Sequence, residues 1–418
     1  MYTTNELSLA TERDARGSVL QAHVLRYLAH MRRGRLRLTT PDGEMHEFGD
    51  PASSEHAQMT VRDDAFFRKC LLYGDIGFGE SYVDGDWDTE NVGAVLEWFL
   101  LNAESAPHLS GSRTQPAALN ILRLVNRATH LLRPNSRHGS RRNIIKHYDL
   151  GNDFFCTFLD ESMTYSSAFY TRPGMTLAEA QQEKYRRLCA AIHLRSSDHV
   201  LEIGSGWGGF AIHAAQTIGC RVTTLTISPE QHALAVKRIA EAGLADRIEV
   251  LLCDYRDAEG TYDKIVSIEM LEAVGHRYIE SFFAQCHTLL APHGALGLQV
   301  ITCPDGRYDS LRRGVDWVQK HIFPGTLLPS VARINTAVNR TGEMSLVHLE
   351  DMGLHYAATL REWRIRFNSE AARIRALGFD RTFLRKWNYY FSYCEAAFAA
   401  RNISAVQMVY MRPNNSTF

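Results

Sequence analysis

From residue 177 to residue 301 the chain alternates between two hydrophobic periods. Short apolar runs at Val200–Ile203, Arg221–Ile227, Ile248–Leu252, Lys264–Ile268 and Ala295–Ile301 read as buried strands. Longer runs read as helices: Leu177–His193, with Ala180, Lys184, Leu188 and Ala191 at helical spacing, then Glu230–Ala242 and Tyr278–Leu290. This rhythm predicts an α/β fold on a doubly wound parallel sheet. Such sheets bind ligands beyond the carboxyl ends of their strands. Chemistry is therefore expected at Glu202, Thr226, Asp254 and Tyr255, from Glu269 to Glu272, and at Gln299.

The pattern differs toward the N-terminus. Arg35–Thr39 alternates and ends in the turn Pro41-Asp42-Gly43, and Phe66–Leu72 is amphipathic. Gly74–Tyr82 is rich in glycine and reads as a loop, and a helix is predicted near Asn91–Asn102. Residues 1–110 thus predict a small α+β domain. Its acids, Asp84 and Asp86 among them, lack the spacing of an EF-hand. Residues 111–142 turn to Ser, Pro, Gly, Arg and His around a helical Ala117–Leu132 and read as a linker. Its basic stretch Arg133–Arg142 leaves two readings open, contact with lipid phosphates or a solvated linker. Residues 143–418 make up the remaining domain, which opens on a stretch dense in aromatics and small hydroxyls. A second aromatic block, Tyr389–Phe398, precedes a predicted final strand at Val406–Tyr410.

Composition narrows the class. With 418 residues, 45% of them hydrophobic and 22% charged, the chain can bury a large core, and a formal net charge of -1 supplies no global field for nucleic acid. The eight cysteines form no C-x-x-C pair, which argues against a zinc site or disulfide framework and for a reducing compartment. The first residues are polar, with no signal peptide, and no apolar run approaches the length of a membrane span. A lipid substrate would have to be met by docking on a membrane surface.

The strongest local signal follows the first strand of the alternating region. Val200–Ile203 runs into Gly204-Ser205-Gly206-Trp207-Gly208-Gly209, and a helical pattern begins at once. Such a turn lets a ligand approach the backbone, and the helix start offers free N–H groups. Gly204, Gly206 and Gly209 also satisfy the dinucleotide pattern G-x-G-x-x-G. That fingerprint expects an acid about 20 residues later for the ribose, where this chain has Arg221–Ile227 without one. S-adenosylmethionine is the preferred ligand, and a dinucleotide stays open on the glycines alone.

Several segments in order decide between them: HYDLGNDFF at 147–155, YSSAFY at 165–170, LEIGSGWGGFA at 201–211, TLTISPEQ at 224–231, LLCDYRD at 251–257, SIEMLEAVG at 267–275, KHIFPG at 320–325 with LPS at 328–330, HYAATL at 355–360 and YYFSYCEAAFAAR at 389–401. Together they resemble the cyclopropane fatty acid synthase family of S-adenosylmethionine-dependent methyltransferases, closely over about residues 140–412 and more loosely before. The resemblance implies a class I methyltransferase-like sheet. It implies a cofactor site at Tyr165, Ser166, Glu202, Gly204, Ser205, Gly206, Trp207, Gly208, Gly209, Thr226, Gln231, Asp254 and Tyr255. Thr226 and Gln231 would take the ribose, and Asp254 the adenine amino group.

The implied reaction adds a methyl group to the double bond of an unsaturated acyl chain, within a phospholipid, and closes a cyclopropane ring when a base removes a proton. Its alternative is the same transfer without ring closure. A carbocation intermediate needs a dry site and aromatic faces, for which Tyr165, Phe169, Tyr356, Tyr389, Tyr390 and Tyr393 are candidates. The family implies bicarbonate as base, held by Glu272, Tyr356 and backbone N–H groups. Two positions depart from the family: Ser167 stands in place of a cysteine and Gln299 in place of a histidine. Glutamine can hold an anion but cannot carry a proton. Cys394 matches a family cysteine and is read as packing rather than as a nucleophile. The expected protein is cytoplasmic, peripheral to the inner face of the membrane, with no metal and with a homodimer left open.

Overall fold

The structure, a computed structural model, describes residues 19–54, 56–103 and 150–415. The expected linker at residues 111–142, with its basic stretch, lies outside the described residues, as do residues 104–110 and 143–149.

The N-terminal part begins with a helix at residues 19–28 (α1) and contains β1 (Arg35–Thr39), β2 (Met45–Gly49), β3 (His56–Val61), α2 (Ala65–Asp84), β4 (Trp87–Asp88) and α3 (Val92–Leu101). The four strands form one sheet in the order β2-β1-β3-β4. Alternation sets its faces: Leu36 and Leu38 of β1 and Ala57, Met59 and Val61 of β3 are buried. The stretch Gly74–Tyr82, expected as a loop, is the second half of α2. Gly74, at φ 59°, kinks that helix. Gly79 allows close helix packing, since a Cβ there would fall 2.5 Å from the Trp317 ring and 2.7 Å from Tyr389. Gly79, which argues for a loop locally, is required by a contact with distant helices that no local pattern reveals.

The rest of the chain follows the sequence Asn152–Phe155 (α4), Leu177–Ala191 (α5), β5 (His199–Ile203), α6 (Gly209–Thr217), β6 (Arg221–Thr226), α7 (Pro229–Glu241), β7 (Ile248–Leu252), β8 (Tyr262–Ile268), α8 (Ile279–Leu289), β9 (Leu290–Thr302), α9 (Asp305–Leu311), α10 (Trp317–His321), α11 (Val331–Thr341), β10 (Ser345–Asp351), α12 (Gly353–Ser369), α13 (Ala371–Ala376), α14 (Arg381–Ala399) and β11 (Ser404–Met411). A Thr176–Glu179 capping box starts α5, and Ser228 caps α7 ahead of Pro229. The strands make one seven-stranded sheet in the order β10-β11-β9-β8-β5-β6-β7. From β9 to β7 the neighbours are parallel, as expected. The sheet is nevertheless mixed, because β11 runs antiparallel to both β9 and β10. The β10 edge was not expected; its alternating residues are only half-buried and give no apolar run.

Alternate residues of each central strand face opposite cores. Val200 and Val266 pack with Leu188, Phe210 and Ile239, whereas Leu201, Ile265 and Leu298 pack with Phe282, Phe283 and Ile334. A third apolar cluster runs from β1, β3 and α2 into the aromatic residues of α12 and α14. Arg385 of α14 strengthens that junction: it lies 4.0 Å from the Tyr82 ring and donates to the carbonyls of Tyr82 (2.7 Å) and Trp87 (2.9 Å). No helix among the described residues is long and apolar enough to cross a membrane.

Candidate active site

The carboxyl ends of β5, β6, β8 and β9 open into one cavity of about 1560 Å³. At its floor the chain leaves β5 through Gly204 (φ 98°) and Gly206 (φ 49°), a conformation that residues with a Cβ rarely adopt. A Cβ at Gly206 would meet no atom within 4 Å, so the turn faces open space. Tyr165, Ser166, Glu202, Gly204, Ser205, Gly206, Trp207, Gly209, Thr226, Gln231, Asp254 and Tyr255 all line the cavity. Gly208 does not; it precedes α6, where a Cβ would touch Ala235 and Ile212. S-adenosylmethionine fits this donor set: a bare backbone turn, the buried carboxyl of Glu202, and the Thr226–Gln231 pair, whose hydroxyl donates to the amide oxygen at 2.8 Å. Asp254 differs from expectation in one respect. Its carboxylate already accepts from the Arg256 guanidinium at 2.8 and 2.6 Å, so an adenine amino group would share it.

The acid–base end lies at the turn after β8. Glu269 stands at φ 51°, a costly conformation for a residue with a side chain, and it lines the cavity. Three donors from three parts of the chain converge on its carboxylate. The Ser167 backbone N–H reaches Oε1 at 2.8 Å, the Gln299 amide reaches Oε1 at 2.8 Å, and the Tyr356 hydroxyl reaches Oε2 at 2.8 Å. Tyr356, a backbone N–H and the side chain at position 299 were expected, together with Glu272, around bicarbonate. Here they hold a side chain instead, so the bicarbonate expectation does not fit and no step is assigned to that ion. Burial raises the Glu269 pKa, while Gln299, Ser167, the Lys184 ammonium and Tyr356 oppose the rise.

Glu272 and Tyr356 border the same cavity, but they do not bond one another as joint ligands of an anion. Glu272 Oε1 accepts from the Ile301 N–H at 2.5 Å, and its buried Oε2 has no partner. Burial and the neighbouring charge of Glu269 push its pKa up to about 8. Burial thus pushes both carboxyls toward the neutral form, and Glu269 is the one with more hydrogen-bond donors to oppose it. The sequence reading gave the leading role to Glu272, whereas the donors of the neighbouring loop, strand and helix converge on Glu269. The available signal was two acids three residues apart at a strand end, which could not rank them.

Tyr165, Tyr356, Tyr389, Tyr390 and Tyr393 line the cavity, as expected, together with Phe323, Leu360 and Phe398. Tyr165 and Tyr390 join their hydroxyls at 3.1 Å, and Tyr356 stacks on Phe398 at 4.4 Å between ring centroids. Phe169 is not part of this wall; it stacks on His355 at 4.0 Å beneath the Arg187 guanidinium. Ser167 and Gln299 are fully buried behind Glu269. Cys394 lines the cavity, and burial pushes its thiol far up, leaving no thiolate to attack. All eight cysteines are free. No cluster suited to a metal ion occurs among the described residues.

Comparison with known proteins agrees with this geometry. The model of the family "Mycolic acid cyclopropane synthetase" matches residues 135–408. Tuberculostearic acid methyltransferase UfaA1 of Mycobacterium tuberculosis is 40% identical over 395 residues, covering 90% of this chain and 88% of that protein. Cyclopropane-fatty-acyl-phospholipid synthase of Escherichia coli is 33% identical over 365 residues, covering 86% and 89%. The solved structure of the cyclopropane synthase MmaA2 from Mycobacterium tuberculosis superposes with a TM-score of 0.60 at 28% identity, over 65% of this chain and 98% of that one. Mycolic acid cyclopropane synthase CmaA1, solved with S-adenosylhomocysteine (SAH) and CTAB, matches with the same TM-score of 0.60 and 28% identity, over 65% and 98%. A glycine turn open to the cavity, aromatic and apolar walls and a buried, hydrogen-bonded carboxylate thus meet in a chain that belongs to the cyclopropane synthase family of S-adenosylmethionine-dependent methyltransferases.

Proposed function

We propose that the protein methylates the double bond of an unsaturated acyl chain carried in a phospholipid, and that Glu269 takes the proton released. The convergence of Ser167, Gln299 and Tyr356 on the Glu269 carboxylate carries this reading. S-adenosylmethionine supplies an electrophilic methyl on a sulfonium. The alkene π electrons bond to that carbon, the carbon–sulfur bond breaks toward sulfur, and a cation remains on the neighbouring acyl carbon. The rings of Tyr165, Tyr356 and Tyr390 border the cavity in which that cation would form. Apolar walls keep out water that would trap it as an alcohol.

Two products share this path. If a hydride first moves onto the cationic carbon, Glu269 removes a proton from the new methyl and leaves a methylene branch without a ring. If no hydride moves, the same proton loss closes a cyclopropane. Both add a net CH2. The ring-free product is favoured here, because the relative of higher identity is named for methylation and the bicarbonate site is filled by a side chain. The ring-forming product is the second reading, supported by the 33% identity to a cyclopropane-fatty-acyl-phospholipid synthase.

The substrate would enter from a membrane surface. In support, the same cavity is also lined by Phe78, Leu96 and Trp98 of the N-terminal part, apolar walls suited to an acyl chain. The eight free thiols favour the reducing, inner side of the membrane. The decisive experiment incubates the protein with methyl-labelled S-adenosylmethionine and monounsaturated phospholipid vesicles, then examines the lipid by NMR. Label in olefinic methylene signals supports the first product and label in cyclopropane signals the second; unlabelled lipid overturns both. Liposome flotation tests docking separately, and loss of association with every lipid composition overturns it.

A further inference from the structure

Behind Glu269 lies a second amide that the reaction as drawn does not use. Strands β9 and β11 are antiparallel neighbours, and their register sets Gln299 directly opposite Gln407. Both side chains are fully buried. The Gln407 Nε2 donates to the Lys184 carbonyl at 3.2 Å and to the Gln299 Oε1 at 3.1 Å. The Gln299 Nε2 in turn donates to the Ser167 carbonyl at 3.2 Å and to the Glu269 Oε1 at 2.8 Å.

The acceptors fix both orientations. A reversed Gln407 would turn its oxygen onto two other oxygens. A reversed Gln299 would aim its oxygen at the Glu269 carboxylate and its N–H groups at those of Gln407. The arrangement leaves the Gln407 Oε1 buried without a partner. A side chain chosen for packing alone would not keep such an atom, because an unpaired buried acceptor is destabilising.

We propose that Gln407 is a positioning residue of the methyl transfer: it locks the Gln299 amide with its N–H toward Glu269 and so keeps the base in its ionised, oriented form. The inference rests on the reading of Glu269 as the base. Gln407 touches neither the cavity nor the donor site; it acts only through Gln299. The other groups around Glu269 are the Lys184 ammonium from α5, the Tyr356 hydroxyl from α12, the Ser167 N–H from the loop before α5, and the carboxyl of Glu272 on the same turn. Of these residues only Lys184 is bonded to Gln407, and through its backbone carbonyl, so removing the Gln407 amide should chiefly alter one donor.

The test uses the full chain, labelled S-adenosylmethionine and monounsaturated phospholipid vesicles. Gln407→Met removes both N–H groups at nearly constant length. The expected result is about tenfold lower kcat, the size of one oriented hydrogen bond to a charged group. The acid limb of kcat/KM should move up by about one pH unit, with the thermal shift produced by SAH unchanged. Gln299→Met should do the same, and the double variant should add little to either, as for residues acting in series. Gln407→Asn, which keeps the polar group but withdraws it, provides the same readout if the methionine variant does not fold. An unmoved acid limb in the folded variant, whatever its kcat, overturns the proposal and leaves Gln407 a structural residue. Glu269→Gln separates the two ideas. If that variant turns over normally, the base has been misassigned; if it is inactive while Gln407→Met keeps the wild-type acid limb, only the role of Gln407 falls.

Discussion

Two turns at the carboxyl ends of adjacent parallel strands do opposite things with the same backbone conformation. After β5, Gly204 and Gly206 take positive φ; the absent side chain at Gly206 leaves open space for a ligand, and the one at Gly204 leaves room for Met270. After β8, Glu269 takes positive φ with a side chain, and three donors hold that side chain in the cavity wall. The first turn makes a site by subtraction and needs only its own residues. The second makes a site by addition and needs a loop, a helix and a neighbouring strand to aim at one carboxylate. A local device is visible in a sequence motif, whereas a convergent one is not.

The sharpest way to break this contrast is to remove the second device while keeping the first. Glu269→Gln keeps size and hydrogen bonding but cannot accept the proton, and turnover should fall by about 10²–10⁴, the usual worth of a general base. SAH should still stabilise the variant in thermal melts. Equal loss of turnover and SAH binding would mean the two turns are one site. Conversely, Gly206→Val places a branched side chain at φ 49° in the open space of the first turn. Its main effect should be on donor affinity, with SAH-induced stabilisation lost in the melt. Unchanged SAH binding would show that the donor lies elsewhere.

Tyr356→Phe removes one of three donors and should cost about tenfold in kcat. It should also raise the pH at which activity appears. The sign follows from the base: Glu269 works only when deprotonated, burial already raises its pKa, and losing a donor to the anion raises it further. Activity should therefore be lost as pH falls through a value above the ordinary carboxylate range, and sooner in the variant. Glu272→Gln should have the smallest mutational effect. The native group, with its pKa pushed up to about 8, is neutral at pH 7, and an amide of the same shape replaces it. Had Glu272 been a bicarbonate ligand, this variant would be as damaging as Glu269→Gln. Removing dissolved bicarbonate should change nothing, because its donors are already satisfied by Glu269; a strong dependence on added bicarbonate would reverse the assignment.

The five predicted strands of the alternating region and the glycine turn were legible because each is written in a handful of neighbouring residues. Gly74–Tyr82 was misread for the converse reason. Its Gly79 serves contacts with Trp317 and Tyr389, more than 200 residues away in sequence. The antiparallel β11 was expected as a strand, but its direction is a property of the sheet, and its partner β10 has no apolar run. Phe169 looked like a wall residue in a dense aromatic stretch, yet strand and helix placement turned it to His355.

By itself, the amino-acid sequence determined the α/β rhythm, the donor turn and the presence of two acids after β8, since hydrophobic period and glycine spacing act over short range. Only the tertiary structure decided on which acid the donors converge. That choice depends on where Ser167, Gln299 and Tyr356 point once β9, α12 and the loop before α5 are packed together. Burial raises both carboxyls, and the one that receives more donors, three against the single Ile301 N–H on Glu272, is the better held in its charged form.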